Sequence, residues 1–253
     1  MLHPGLVSVT FRKFPPEQIV RWAAKAGMRG IEWGGDIHVP HGDVARAREV
    51  RRMTEDAGLQ LPSYGSYYRV GHNEPAPFEA VLETAVALGA PVIRVWAGRK
   101  PSAEADEAYR RQVIEDSSRI GALAEAANVV VAYEFHRNTL SDGGPATKRL
   151  LQEVAHRNVR TYWQQGVTTP VEEGLAEIAL VMPWLTHVHV TLSSPKDLGR
   201  DAQAEGAARW PRYLRAVAAS GRDHFALLEF VRDDAPDNFF RDAALLLSWL
   251  RKE

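Results

Sequence analysis

Four residues that are able to bind a metal or move a proton stand near the ends of consecutive apolar segments in the second half of the chain. Glu134 follows the β-branched run 129–133, Gln164 lies at the end of 159–165, His189 lies within 185–192 and Glu229 within 224–231. Apolar runs of this kind are typical of strands buried on both faces. A carboxylate in such a strand needs a cation, a hydrogen-bond network or water. Each residue alone is explained as a satisfied buried polar group, but four at matched positions predict one shared site.

The four side chains together offer the chemistry of a divalent metal centre. Carboxylate, imidazole and amide ligands suit Mn²⁺, Mg²⁺, Co²⁺ or Zn²⁺, so we expect Glu134, Gln164, His189 and Glu229 to be metal ligands. A cation beside a sugar carbonyl stabilises an enediolate after a base removes the neighbouring proton. A second carboxylate can return that proton. A pair of carboxylates beside a metal would in this way give epimerisation or isomerisation.

Five further residues are candidates for contacts with the substrate. Aromatic rings suit the C–H faces of sugars, histidines near strand ends donate hydrogen bonds, and an arginine binds phosphate or carboxylate. A plain packing or solvated role is as compatible with the sequence for each of them. The candidates are Trp33, His38, Trp96, His136 and Arg200, and the cations Arg69, Arg94 and Lys196 are weaker candidates for the same anion.

Eight alternations of strand and helix must position these residues. The expected strands are 6–11, 30–36, 59–64, 91–98, 129–136, 159–165, 185–192 and 224–231, each followed by a helical segment. Eight such units in 253 residues, without a linker, predict a single α/β domain over residues 1–253, a (β/α)8 TIM barrel. The alternative is a doubly wound open sheet. Active sites of such barrels lie at the carboxyl ends of the strands, where the four residues stand.

The chain resembles the xylose-isomerase-like barrel superfamily of sugar and sugar-phosphate isomerases and epimerases. The resemblance covers nearly the whole chain and is carried by the segments 30–33 (GIEW), 133–136 (YEFH), 187–189 (HVH) and 227–230 (LLEF). In ketose epimerases of that family, a divalent metal is held by Glu, Asp, His and Glu. The two glutamates also move protons on opposite faces of the substrate. The resemblance gives these roles to Glu134 and Glu229, and the metal-binding histidine is His189.

One position departs from the family pattern. The family usually ends strand six with Asp, whereas this chain has Gln164, and the histidine expected three residues later is replaced by Val167. An amide oxygen can coordinate a metal but brings no charge. The departure therefore implies weaker metal binding.

Composition excludes several other classes of protein. The formal net charge is −1, so no basic excess favours a nucleic-acid backbone, and the absence of cysteine excludes disulfides and thiolate sites. The first residues lack the basic and long apolar regions of a signal peptide, and no apolar run is long enough for a bilayer. We expect a cytoplasmic protein whose partner is a small-molecule carbohydrate, with no nucleic acid and no membrane. A homo-oligomer is left open.

Three rival functions remain at this point. The same residues can serve a lyase, either a dehydratase of keto-polyols or an enzyme that cleaves an oxidised glycoside. An endonuclease-like barrel would need more histidine and aspartate ligands and a basic face. A metal-free carbohydrate-binding barrel without activity is the third, and Gln164 is the residue that favours it.

Overall fold

Eight parallel strands close into a barrel in the order of the sequence, each one paired with its two neighbours. The computed structural model describes residues 1–166, 169–192 and 202–251. The strands are β1 Leu2–Val7, β2 Gly30–Gly34, β3 Tyr64–Arg69, β4 Val92–Trp96, β5 Val130–Tyr133, β6 Val159–Gln164, β7 Leu185–Val190 and β8 His224–Leu228. This topology confirms the predicted (β/α)8 barrel and excludes the open sheet.

A helix follows every strand and packs on the outside of the barrel. The helices are α1 Pro16–Lys25, α2 Val44–Asp56, α3 Phe78–Leu88, α4 Glu107–Ala126, α5 Gly144–Val154, α6 Val171–Val181, α7 Ala202–Ala218 and α8 Pro236–Leu250. Short 3₁₀ turns lie at Ser8–Phe11, Ser102–Glu104, Met182–Trp184 and Arg232–Asp234. None of the helices in the described part of the chain is long and apolar enough to cross a lipid bilayer.

A second group of apolar side chains packs apart from the main core. Val7, Val92, Tyr162 and Leu227 belong to a buried cluster that is separate from the larger core between strands and helices. Gly5 makes room for it, because a Cβ there would lie 2.5 Å from Cδ2 of Leu227.

Two strands, β1 and β3, lie furthest from their predicted bounds. The first strand ends at Val7, and the expected continuation to Phe11 forms a 3₁₀ turn. The third strand was expected at 59–64, but the structure has it at Tyr64–Arg69, in a segment predicted as a loop. The strand was not predicted because the segment is polar and lacks the apolar run that is typical of a buried strand. Residues 60–63 still run beside β2, since the amide of Ile31 donates to the carbonyl of Gln60.

A bulge in β3 shapes the mouth of the barrel. Gly65 pairs with Arg94 and Tyr68 with Val95, so two extra residues, Ser66 and Tyr67, stand opposite a single step of β4. Tyr67 takes a positive φ of 56° there. The Ser66 hydroxyl donates to the Arg94 carbonyl at 2.7 Å and accepts the amide of Tyr68 at 3.2 Å, which holds the bulge. Bulges of this type redirect side chains at barrel rims.

Candidate active site

The barrel brings the four predicted residues of strands five to eight together around one imidazole. Nδ1 of His189 lies 3.4 Å from Oε2 of Glu229 and 3.8 Å from Oε1 of Glu134. It lies 3.2 Å from Oε1 of Gln164. Glu134 and Glu229 directly follow β5 and β8, and their backbone amides continue the barrel hydrogen bonding to Val95 and Val190. Parallel strands in sequence order place their carboxyl ends side by side, which explains the convergence.

The amide of Gln164 is oriented with its oxygen towards this cluster. Its Nε2 donates to the carbonyl of Phe135 at 2.5 Å, so Oε1 is the atom that faces His189. The substitution of the family's usual aspartate therefore keeps an oxygen at the site and removes a charge.

The donor set fits a divalent cation. Ligand atoms of Glu134, His189 and Glu229 all lie within 4.8 Å of one another, and Gln164 adds a fourth donor atom. The other ring nitrogen of His189 lies 3.5 Å from Oε1 of Glu32 and has no hydrogen bond. A carboxylate behind an imidazole is the usual way to orient a metal-binding histidine. Oxygen and imidazole donors of this kind suit Mn²⁺, Mg²⁺, Co²⁺ or Zn²⁺.

A buried arginine that sequence reasoning discounted lies beneath the cluster. The Nε of Arg94 donates to Oε1 of Glu32 at 2.7 Å, and its Nη1 donates to Oε2 of Glu134. Glu32 also accepts from Ser63 at 2.6 Å. Sequence reasoning assigned no role to Glu32 and included Arg94 only as a weaker candidate for binding an anion of the substrate. The signal was its place in the middle of the apolar strand Val92–Trp96, because a buried guanidinium requires carboxylate partners.

The glycine at position 65 permits this arginine. A Cβ on Gly65 would lie 2.5 Å from Nη2 of Arg94 and 3.1 Å from Oε1 of Glu32. The guanidinium is covered from the mouth by Tyr67, whose ring centroid lies 5.0 Å from Cζ of Arg94. The β3 bulge thus supplies both the space and the cover for Arg94.

Charges at the site shift the pKa values of its buried groups. Burial opposes ionisation of Glu32, yet Arg94 and His189 hold the pKa of Glu32 well below its usual range. Burial likewise lowers the pKa of His189, but Glu229 and Glu32 outweigh it and raise the pKa of His189 to about 10. Burial raises the pKa of Glu229 and His189 lowers it, with a net decrease. In the metal-free protein the imidazole is therefore a cation among carboxylates.

Two of the predicted substrate contacts lie at the mouth of the barrel. The indole N–H of Trp96 donates to Oε2 of Glu134 at 2.6 Å. The ring of His136 stacks on Trp96, with centroids 4.7 Å apart and an angle of 30° between the planes. Nδ1 of His136 lies 2.6 Å from the carbonyl of Arg137. Both side chains are half-buried beside the cluster.

Two other predicted contacts, Trp33 and His38, are corrected by the structure. Trp33 is fully buried and its indole donates to Thr54 of α2 at 3.1 Å. Since Glu32 points into the barrel, the pleat of β2 turns Trp33 outwards. His38 is buried, with Nδ1 3.0 Å from the Ser8 hydroxyl and Nε2 3.2 Å from a backbone carbonyl. Both ring nitrogens therefore contact other parts of the protein and stabilise the loop that carries His38. Arg200 lies outside the described residues.

Comparison with known proteins identifies a family and relatives that the chain resembles. The family model described as xylose isomerase-like TIM barrel matches residues 20–253. A 3-dehydroshikimate dehydratase from Bacillus anthracis is 26% identical over 253 residues, covering 87% of this chain and 86% of that protein.

Several solved structures share the fold. The crystal structure of the probable 3-DHS dehydratase of petrobactin synthesis from Bacillus anthracis has a TM-score of 0.79 and 24% identity, covering 98% of this chain and 99% of that one. D-psicose 3-epimerase from Clostridium cellulolyticum H10 has a TM-score of 0.71 and 14% identity over 99% and 98% of the two chains. 3-Keto-D-glucoside 4-epimerase from E. coli has a TM-score of 0.72 and 16% identity, covering 100% of both chains.

Proposed function

Since the chain belongs to the xylose isomerase-like TIM barrel family, we propose that it is a divalent-metal-dependent lyase. The substrate is a hydroxylated cyclic keto acid of the 3-dehydroshikimate type, from which the enzyme removes water. The observation that carries this proposal is that Oε2 of Glu134 already accepts hydrogen bonds from both Arg94 and Trp96. The sequence relative from Bacillus anthracis, a 3-dehydroshikimate dehydratase, supports it.

The occupied oxygen of Glu134 argues against epimerisation by two carboxylates. A glutamate that is both a metal ligand and a base needs one oxygen for each task. In Glu134, Oε1 faces His189 and Oε2 accepts hydrogen bonds from two donors, so Oε2 is not available to a substrate proton. Glu134 is therefore a ligand, and only one carboxylate of the pair is available to move a proton.

Glu229 is that remaining carboxylate. Its Oε2 faces His189, and its Oε1 accepts no hydrogen bond from any described residue. A single base suits an elimination, in which the proton and the leaving group depart from neighbouring carbons. We assign to Glu229 the removal of the proton beside the ketone.

His136 has the position for the complementary acid. Its Nδ1 is engaged by a backbone carbonyl, and the ring is fixed by its stack on Trp96. The free Nε2 is then the atom that hands a proton to the departing hydroxyl group. The C–H bond beside the ketone and the next C–O bond break, a C=C bond forms, and one water leaves. Enolisation of the resulting dienone gives an aromatic dihydroxybenzoate, which makes the reaction irreversible.

The metal has a defined place in this scheme. Glu134, Gln164, His189 and Glu229 would hold it, and when bound it supplies positive charge that favours ionisation beside the ketone. The ligand assignment, like the roles of Glu229 and His136, is part of the proposal.

The test is product analysis with protein that has been loaded with Mn²⁺. Incubation with 3-dehydroshikimate should give a product lighter by one water, with the ultraviolet absorption of a catechol. A panel of ketohexoses and their phosphates should be recovered unchanged. An isomer of unchanged mass from any sugar would favour the epimerase alternative. Inactivity on all of them, together with no binding of Mn²⁺, would favour the metal-free binding barrel.

The remaining expectations stay predictions. These are a location in the cytoplasm, the absence of nucleic-acid and membrane partners, and assembly into a homo-oligomer as an open option. The nucleic-acid prediction is checked by the failure of duplex DNA to bind at low salt.

A further inference from the structure

Arg69 is a half-buried cation at the mouth of the barrel, and no acidic side chain in the described part of the chain pairs with it. It is the last residue of β3, and in the register of the sheet it stands opposite Trp96, the last residue of β4. Its Cζ lies 4.3 Å from the centroid of the Trp96 ring. Among the described residues, no carboxylate lies within 4.0 Å of its guanidinium. An arginine held in this way keeps its hydrogen-bond donors for another group.

The surroundings of Arg69 increase its attraction for an anion. Burial and the nearby charge of Arg99 both lower the pKa of Arg69. Arg99 forms an ion pair with Glu74, and Lys100 lies 4.8 Å over the ring of Tyr109. Three cations, Arg69, Arg99 and Lys100, thus lie on this side of the rim with the carboxylates of Glu74 and Asp116. On the β1–β2 side of the mouth, by contrast, Arg12 is neutralised by Asp36 at 2.7 Å.

Arg69 is also close to the reacting centre. One indole separates it from the ligand cluster, because Trp96 contacts Arg69 through its ring and Glu134 through its N–H. A small ring lying along Trp96 and His136 would therefore reach the cluster with one edge and Arg69 with the other. The guanidinium of Arg69, with its paired N–H donors, thus lies across Trp96 from the cluster that contains Glu134.

We propose that Arg69 recognises an anionic group of the substrate, a carboxylate or a phosphate, and so selects acids over neutral sugars. The inference rests on the proposed function, which it deepens by naming the feature that the site selects. A guanidinium binds such groups through two parallel hydrogen bonds. The packing role of Arg69 on Trp96 could be served by its carbon stem alone, and this allows a test that separates charge from packing.

The test measures binding to protein loaded with Mn²⁺ by calorimetry, with matched pairs of probes. One pair is 3,4-dihydroxybenzoate and its methyl ester, and the other is D-fructose 6-phosphate and D-fructose. Wild-type protein should bind one of the two anions about tenfold or more tightly than its neutral counterpart, as expected for hydrogen bonds to a charged group. The pair that shows the preference identifies carboxylate or phosphate as the ligand.

Variants at and beside Arg69 give the decisive comparison. Arg69→Met keeps the stem on Trp96 and should bind the acid and its neutral counterpart equally, while Arg69→Lys should retain part of the preference. Lys100→Met removes the same charge from the same rim and should keep the wild-type preference. The proposal would be overturned if Arg69→Met still bound the anion more tightly than its neutral counterpart, or if the wild-type protein showed no such preference.

Failure of the proposed reaction would look different. Protein that prefers the anions through Arg69 but does not dehydrate 3-dehydroshikimate would refute the reaction and leave the anion site intact. Dehydration by Arg69→Met with an unchanged KM would refute the anion site alone. If the inference holds, Arg69→Met should raise KM with a smaller effect on kcat, since the charge contributes equally to binding the ground state and the transition state.

Discussion

Nη1 of Arg94 donates a hydrogen bond to Oε2 of Glu134, at the centre of the barrel and away from solvent. The same guanidinium donates through Nε to Glu32. Arg94 thereby neutralises carboxylates that would otherwise repel one another in a site that also holds Glu229. It fixes Glu134 in the orientation that leaves Oε1 for a ligand. This end of the barrel is thus assembled around an ion pair as well as around the cluster of Glu134, Gln164, His189 and Glu229.

Removal of Arg94 should destabilise the protein strongly. Arg94→Met would leave two buried carboxylates without their cation, and breaking a buried pair from one side typically costs about 3–5 kcal/mol. Urea denaturation measures this loss. Arg94→Lys keeps the charge but loses the fork and should show a smaller loss. The matched control is Arg111→Met, because its pair with Glu107 is exposed and such pairs contribute only about 0.3–0.5 kcal/mol.

Gly65→Ala should disturb the same ion pair without changing a charge. The added Cβ would meet Nη2 of Arg94 at 2.5 Å, and the surrounding side chains leave the guanidinium little room to move. We expect a loss of about 1–3 kcal/mol, the range for overpacking of a core. Gly143→Ala is the control, since its Cβ would find its nearest neighbour at an ordinary 3.5 Å. Equal stability of the two variants would mean that Arg94 has more freedom than its contacts indicate.

The convergence of the four side chains could be predicted from the sequence because it needed only strand order, and their role as metal ligands stays a prediction. Glu134, Gln164, His189 and Glu229 stand at the ends of consecutive strands, and a closed barrel with sequential order makes those ends neighbours. The prediction that Glu134 requires a cation or a hydrogen-bond network is also met, by Arg94 and Trp96.

The pairing of Arg94 with Glu32 depended on information that the sequence alone carries only weakly. The two residues are 62 positions apart, and their contact requires the inward phase of both strands and a glycine at position 65. The sequence reasoning also did not identify which side chains of β2 point into the barrel. With Glu32 assigned to the inside, Trp33 would have been assigned to the outside. The bulge that carries Tyr67 lies in a segment whose glycine, serine and tyrosines indicated a loop, so the position of Arg69 on Trp96 could not be foreseen.

Gln164→Asp should tighten Mn²⁺ binding. Gln164 already directs Oε1 to the cluster, and aspartate would replace a neutral donor by an anionic one, which increases affinity for hard cations. Calorimetric titration before and after the change measures it. Gln165→Asp adds the same charge one residue away and should have little effect. An affinity that stays equal or falls would mean that the hydrogen bond from Gln164 to the Phe135 carbonyl matters more than the charge.

Mn²⁺ binding should release close to one proton near neutral pH. Burial lowers the pKa of His189 and the neighbouring carboxylates raise it to about 10 in the metal-free protein, so Nδ1 must lose a proton before it coordinates. Apparent affinity should therefore fall as the pH falls below that value. By the same shift, the stabilisation that His189 gives the metal-free protein is complete below its ordinary pKa and is lost as the pH rises through about 10. Calorimetry in buffers with different ionisation enthalpies counts the proton, and His189→Gln should abolish its release.

The two glutamates should differ when each is changed to glutamine. Glu229→Gln keeps a ligand oxygen and removes the proposed base, and general-base removal typically costs on the order of 10²–10⁴ in rate. We expect this variant to bind Mn²⁺ and to lose less stability than Glu134→Gln, because Glu229 pairs with His189 and makes no ion pair with Arg94 within 4.0 Å.

Glu134→Gln should instead lose stability and metal affinity together with activity, because it breaks the pair with Arg94. Solvent-deuterium exchange at the carbon beside the ketone separates the roles. It should disappear in Glu229→Gln, and in Glu134→Gln it should return when Mn²⁺ is raised to saturation. Exchange that survives in Glu229→Gln and is lost in Glu134→Gln at saturating metal would assign the base to Glu134, and Oε2 would then have to leave Arg94 and Trp96 during the reaction.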